Sequence, residues 1–128
     1  MEIGLSLFID GNNLLYALGM GRGNDSPAAE QLLQRLEICA AEKGWEVVVV
    51  FDGQERFLRR ESGLLVIRYA GGGKTADTVI ERLVYQAPDR SGVVVVTQDR
   101  AESDLILGLG GQVWSVRRLL EELENAVK

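Results

Sequence analysis

Residues 45–53 read Trp-Glu-Val-Val-Val-Val-Phe-Asp-Gly. Four consecutive valines and a phenylalanine leave no polar side for water. A strand of this kind is covered on both faces, the usual state of a strand in a parallel sheet. The Asp-Gly that follows is a turn signal. The same form recurs at residues 3–11, Ile-Gly-Leu-Ser-Leu-Phe-Ile-Asp-Gly, and again at residues 93–99, Val-Val-Val-Val-Thr-Gln-Asp. A fourth apolar run, residues 64–69, and a short one, residues 112–116, complete a set of about five strands.

Between the strands lie amphipathic stretches. Residues 12–20 predict a short helix. Ser26-Pro27 marks a helix start, with Ser as N-cap and Pro at the first helical position. Leu32, Leu33, Leu36, Cys39 and Ala40 then recur at helical spacing until Gly44. Residues 75–87 predict a helix with Val79, Ile80, Leu83 and Val84 inward. Residues 100–109 and 117–127 predict two more. All-apolar strands alternating with such helices imply an α/β fold, a mainly parallel sheet with helices on both faces. Neither a repeat nor a linker divides the chain, so residues 1–128 are expected to form one domain.

Composition narrows the chemistry. The chain of 128 residues contains no histidine and one cysteine, Cys39. Ser-His-Asp catalysis, His-ligated zinc and an internal disulfide are thereby excluded. Cys39 reads as a small core residue. No apolar run reaches the roughly 18 residues needed to span a bilayer, and the N-terminus lacks a basic leader, so a cytoplasmic protein without a membrane partner is expected. The net charge of −5 is unevenly distributed: Arg56, Arg59, Arg60, Arg68 and Lys74 concentrate in residues 56–74. That segment reads either as a solvated surface or as a basic face for phosphates.

Ligands of such sheets bind beyond the carboxyl ends of the strands, and there the acids gather. Asp10, Asp52 and Asp99 each follow a strand, while Asp77 opens the helix after residues 64–69, with Glu81 one turn on. Each has a local role open to it as turn former, helix cap or acid at a helix N-terminus. Together they would repel one another unless protonated or neutralised by a cation. An all-oxygen set suits Mg²⁺ or Mn²⁺, which serve phosphoryl chemistry. The segment Gly71-Gly72-Gly73-Lys74-Thr75 invites comparison with a P-loop, yet the first glycine of that motif would fall at Arg68. A glycine connection that delivers Thr75 as N-cap, Asp77 to the sheet edge and Lys74 to a phosphate accounts for it better.

Four segments, LFIDGNNLL, VVVVFDG, KTADTVIERL and VVVVTQDR, resemble in order and spacing the YacP-like NYN domains, a branch of the PIN-like nuclease superfamily. The resemblance runs from about Leu5 to Leu120. It implies a three-layer α/β/α sandwich and a metal-dependent ribonuclease, with Asp10, Asp77 and Asp99 as catalytic metal ligands. Asp52 and Glu81 match as further ligands. Asn13 would orient a metal-bound water or a phosphate, and Lys74, Arg56, Arg59, Arg60 and Arg100 would meet the substrate. RNA is the implied partner, with mRNA, rRNA and tRNA left open and ribosome association and a homodimer both allowed. Tyrosine is common in this branch where Asn12 stands, and Glu102 and Asp104 do not match the superfamily's last acids. The alternative is a non-catalytic module of the same fold that binds RNA or protein. Receiver and dehalogenase-like phosphatase patterns fit poorly. A receiver wants its acceptor Asp after the third strand, and a phosphatase wants Asp at position 12.

Overall fold

In the computed structural model the described residues are 4–19, 27–53, 61–62 and 65–126. The chain order is β1 (Ser6–Asp10), α1 (Gly11–Ala17), α2 (Pro27–Lys43), β2 (Glu46–Phe51), β3 (Glu61–Ser62), β4 (Leu65–Tyr69), α3 (Ala76–Gln86), β5 (Val93–Val96), α4 (Arg100–Gly108), β6 (Gln112–Trp114) and α5 (Val116–Ala126). A 3₁₀ turn, Arg90–Gly92, leads into β5. The strands lie in the order β3-β4-β2-β1-β5-β6. Five are parallel, as the apolar runs imply, and the two-residue β3 adds an antiparallel edge.

Register explains why unbroken valine runs are needed. Leu7 lies beside Val47 and Val94, and Ile9 beside Val49 and Val96. These rows, extended by Leu65 and Ile67, form one core with Leu14 and Leu15 of α1, Leu32, Leu33 and Leu36 of α2, and Leu119 and Leu123 of α5. The intervening row, Phe8 with Val95, turns to the other face. There Val50 and Val93 join Ala76, Ile80 and Val84 of α3 and Ile106 of α4. Successive strand residues point to opposite faces. An apolar residue at every position therefore feeds two cores, and the result is the α/β/α sandwich. Full burial of each such side chain contributes about 1.5–3 kcal/mol.

Local signals mostly act where the sequence puts them. Cys39 is fully buried in the first core. Positive φ at Gly44 (70°) ends the turn after α2, and Gly19 (73°) follows α1. The first helix stops at Ala17, short of the expected residue 20, with Leu18 as its C-cap. The strand at β6 stops at Trp114 because Ser115 caps the next helix, its Oγ accepting from the Arg118 amide at 3.0 Å. The expected N-cap Ser26 lies outside the described residues, as do Arg56, Arg59 and Arg60. No helix among the described residues is long and apolar enough to cross a membrane.

The chain leaves β1 for β2 and β4 on one side, then returns past it to β5 and β6 on the other. Neighbours β1 and β5 thus mark the point where the winding reverses. A crevice opens beyond strand carboxyl ends at such a point. Asp10 closes β1 there, and Thr97-Gln98-Asp99 continues β5.

Candidate active site

Three aspartates at this edge cap helices. Asp10 is the N-cap of α1, its Oδ1 accepting from the Asn13 amide at 3.0 Å. Asp99 is the N-cap of α4, its Oδ1 accepting from the Glu102 amide at 3.1 Å. Asp52 reaches across to α3, where its Oδ1 accepts from the Ala76 amide at 2.6 Å. The local roles open to these acids are therefore real. Capping also fixes each carboxylate at the sheet edge, which the chemistry of a shared site requires.

Residues 71–75 differ from a phosphate-binding loop in a physical way. Strand β4 runs on through Arg68 to Tyr69, so the backbone has not turned where the motif needs its first glycine. Gly71 (φ 93°) and Gly73 (φ 77°) take conformations that favour glycine, and the Gly71 amide donates to the Gly53 carbonyl at 2.9 Å. The Ala76 amide at the start of α3, the kind of donor a phosphate would use, is already held by Asp52. Thr75 is the N-cap by position, but its side chain makes no cap hydrogen bond. Its hydroxyl donates instead to Asp77 Oδ1. Lys74 is exposed beside this turn.

The deepest acid at this edge is one the motif comparison left unassigned. Glu102, in the first turn of α4, is only 3% exposed, and neither carboxylate oxygen has a hydrogen-bond partner among the described residues. Asp99-x-x-Glu102 reads in sequence as a capping box, in which the glutamate would turn back to the N-cap amide. Here the Thr97 hydroxyl takes that amide, accepting from Asp99 N at 3.0 Å. Glu102 is thereby released into the crevice. One carboxylate oxygen from each of Asp77, Glu81 and Glu102 lies within 4.8 Å of the other two. Asp77 and Glu81 share a face of α3, as their spacing implies.

Electrostatics tie the set together. Burial, and after it the charges of Asp10, Asp77, Glu81 and Asp99, push the Glu102 carboxyl from its ordinary 4.5 up to about 7. Burial also raises Asp10, against the Asn13 amide that lowers it, with Asp52 and Asp77 adding repulsion. Glu81 is raised by burial and by Asp77 and Asp99. No lysine or arginine among the described residues is paired with any of these six acids. A buried carboxylate without a counter-charge is costly. An all-oxygen group with unsatisfied lone pairs is what a hard divalent cation takes as ligands, alongside retained waters. The residues present thus fit Mg²⁺ or Mn²⁺.

Two asparagines brace the edge. Asn12 Oδ1 accepts from the Asp52 amide at 2.6 Å, tying the end of β2 to α1. Asn13 places its Oδ1 in a buried position with no partner among the described residues. Arg100 is exposed at the start of α4, and Asp104 is exposed one turn on. Of the expected site residues, the structure brings together Asp10, Asp52, Asp77, Glu81 and Asp99, with Asn13 on the Asp10 cap and Lys74 on the neighbouring turn.

The fold has known counterparts. A crystal structure of Rae1 (YacP) from Bacillus subtilis is similar to the chain with a TM-score of 0.75 and 26% sequence identity, over 98% of this chain and 75% of that one. A single-residue variant of Rae1 (YacP) gives a TM-score of 0.76 and 27% identity, over 95% and 76%. No curated protein matches. The family model for the YacP-like NYN domain matches residues 7–128. A nuclease-like fold, a cluster of acids at its switch point and a family match across nearly the whole length agree: the chain belongs to the YacP-like NYN domain family.

Proposed function

We propose that the chain is a metal-dependent ribonuclease, a single nuclease domain acting in the cytoplasm, that hydrolyses RNA phosphodiester bonds at the carboxyl edge of its sheet. The observation that carries this reading is Glu102, a buried carboxylate with no partner among the described residues, set within 4.8 Å of Asp77 and Glu81. Such an arrangement is unfavourable for the fold alone and is explained by a cation.

Asp10, Asp77 and Asp99 are assigned as the catalytic metal ligands, with Glu81, Glu102 and Asp52 completing the acidic set. A bound Mg²⁺ or Mn²⁺ would supply positive charge for the phosphate and acidify a coordinated water. The chain's own contributions are positional. The Asn13 and Glu102 amides hold Asp10 and Asp99 in place, and the Ala76 amide holds Asp52. Asn13 offers its buried Oδ1 as an acceptor to a water, and its side-chain NH₂ is the group that could donate to a phosphate oxygen. Lys74 and Arg100, both exposed beside the pocket, are assigned to flanking phosphates, which charged donors hold through strong hydrogen bonds. Without a cation the pocket's own negative charge repels the substrate.

The test is cleavage of a mixed single-stranded RNA panel with Mn²⁺, Mg²⁺ or EDTA, beside an Asp10→Asn/Asp77→Asn double variant. Cleavage that needs metal and is lost in the variant supports the reading. RNA binding without cleavage by both proteins would favour the non-catalytic module instead.

A further inference from the structure

We infer that Tyr16 on α1 is a stacking platform for a base of single-stranded RNA beside the acidic pocket, an inference that rests on the ribonuclease reading. Tyr16 is 81% exposed, the most exposed of the large apolar side chains among the described residues. Single exposed apolar residues are ordinary, so its position has to decide. α1 begins directly from Asp10, which caps it. Six residues at 1.5 Å each put Tyr16 about 9 Å along the axis from that acid, close enough for a nucleotide that flanks the bond at the pocket.

Helical phase gives the direction. Leu14 and Leu15 are buried in the core shared with α2 and α5. Residues 12 and 16 are one turn apart and lie on the same face. Asn12 on that face touches the pocket rim, its Oδ1 holding the Asp52 amide. Tyr16 therefore extends the rim outward from Asp52, with its ring in solvent. Base stacking on such a ring requires no particular base, since every base has a π-face.

A second exposed tyrosine sharpens the assignment. Tyr85 is 67% exposed, near the far end of α3, eight residues or about 12 Å beyond Asp77. Arg90 covers it, with the guanidinium 5.2 Å from the ring centroid and Nη2 donating to the Tyr85 carbonyl at 2.8 Å. Tyr16 has no such ring partner among the described residues.

The experiment measures kcat/KM of the full chain on a single-stranded RNA, and on the same RNA with an abasic site placed in turn at each position around the cut. Tyr16→Ala should lose roughly five- to a hundredfold on intact RNA, the range expected for one lost stack. The loss should vanish on the RNA whose missing base is the stacked one. Tyr16→Phe should keep wild-type values, as should Tyr85→Ala. Equal kcat/KM for Tyr16→Ala and wild type on intact RNA would overturn the inference while leaving the ribonuclease reading standing. So would a loss of the same size on every abasic RNA. Absence of cleavage by the wild type would end both. With Tyr16 so exposed, its variants should melt with the wild type, which a thermal scan checks.

Discussion

Glu122 on α5 lies between two cations, Lys43 Nζ at 3.3 Å and Arg118 Nε at 3.1 Å. Glu102 on α4 is more deeply buried and has neither a cation nor a hydrogen bond for its carboxylate among the described residues. Both are glutamates on helices packed against the same sheet, yet they face opposite demands. A partly exposed acid with a nearby arginine needs nothing further, and its pair adds little. Burial first, and then the neighbouring acids, raise the proton affinity of Glu102, Asp10 and Glu81, which gain from whatever positive charge arrives. Lys43, Arg117 and Arg118 pair with acids of α5, whereas no lysine or arginine among the described residues pairs with the acids at the strand edge. This separation distinguishes charge used for structure from charge reserved for a ligand.

The largest effect expected from breaking that contrast is on activity. Asp77→Asn should reduce metal-dependent RNA cleavage by about a hundredfold or more, while leaving the folded protein as stable or more so in EDTA. A cleavage assay paired with a thermal scan separates the two. Wild-type cleavage in Asp77→Asn would remove that residue from the site.

Next in size is a packing change at the first acid. A Cβ on Gly11 would lie 2.5 Å from the Phe51 ring, which is itself stacked on Tyr69 at 5.8 Å between centroids. Gly11→Ala should cost about 1–3 kcal/mol and, by displacing the Asp10 cap, also lower cleavage. Denaturant unfolding checks the first part. Unchanged stability would mean that α1 starts elsewhere.

The pH response follows from Glu102, whose folded value of about 7 lies above its ordinary 4.5. Between those values the folded state holds the proton more tightly than the unfolded chain, so Glu102 favours folding at low pH. Stability in EDTA should decline as pH rises from about 4.5 and level off above 7. Asp10 and Glu81, both raised, act in the same sense. A fall in Tm of about 5 °C between pH 5 and pH 8 is expected. Mn²⁺ should reverse it, and Glu102→Gln should flatten it. A Tm that rises over this interval in EDTA would contradict the account.

The smallest effect belongs to the paired acid. Glu122→Gln should cost under about 1 kcal/mol, shrink further in high salt, and leave cleavage unchanged.

The sheet was legible because its strands carry unbroken apolar runs; the four valines from Val47 to Val50 feed two cores at once and fit no other element as well. Asp10, Asp52 and Asp99 were legible from strand ends alone. Glu102 was not, since Asp99-x-x-Glu102 matches a capping box and nothing local reveals that Thr97 has taken the amide the glutamate would have used. Thr75 was legible as a cap by position, yet it is Asp52, remote in sequence, that holds the first amide of α3. Strand β3, two residues long, is too short for any period to show. For Glu102 and for the cap of α3, what escaped sequence reading was a choice between two partners, decided by tertiary contact rather than by residue type.

The most direct test of the central claim is calorimetric titration of the metal-free protein with Mn²⁺, set beside the Asp77→Asn and Glu102→Gln variants. Saturable binding by the wild type that is lost or markedly weakened in both variants is the predicted result. No binding by the wild type, together with RNA cleavage that persists in EDTA, would contradict the assignment of these acids to a cation.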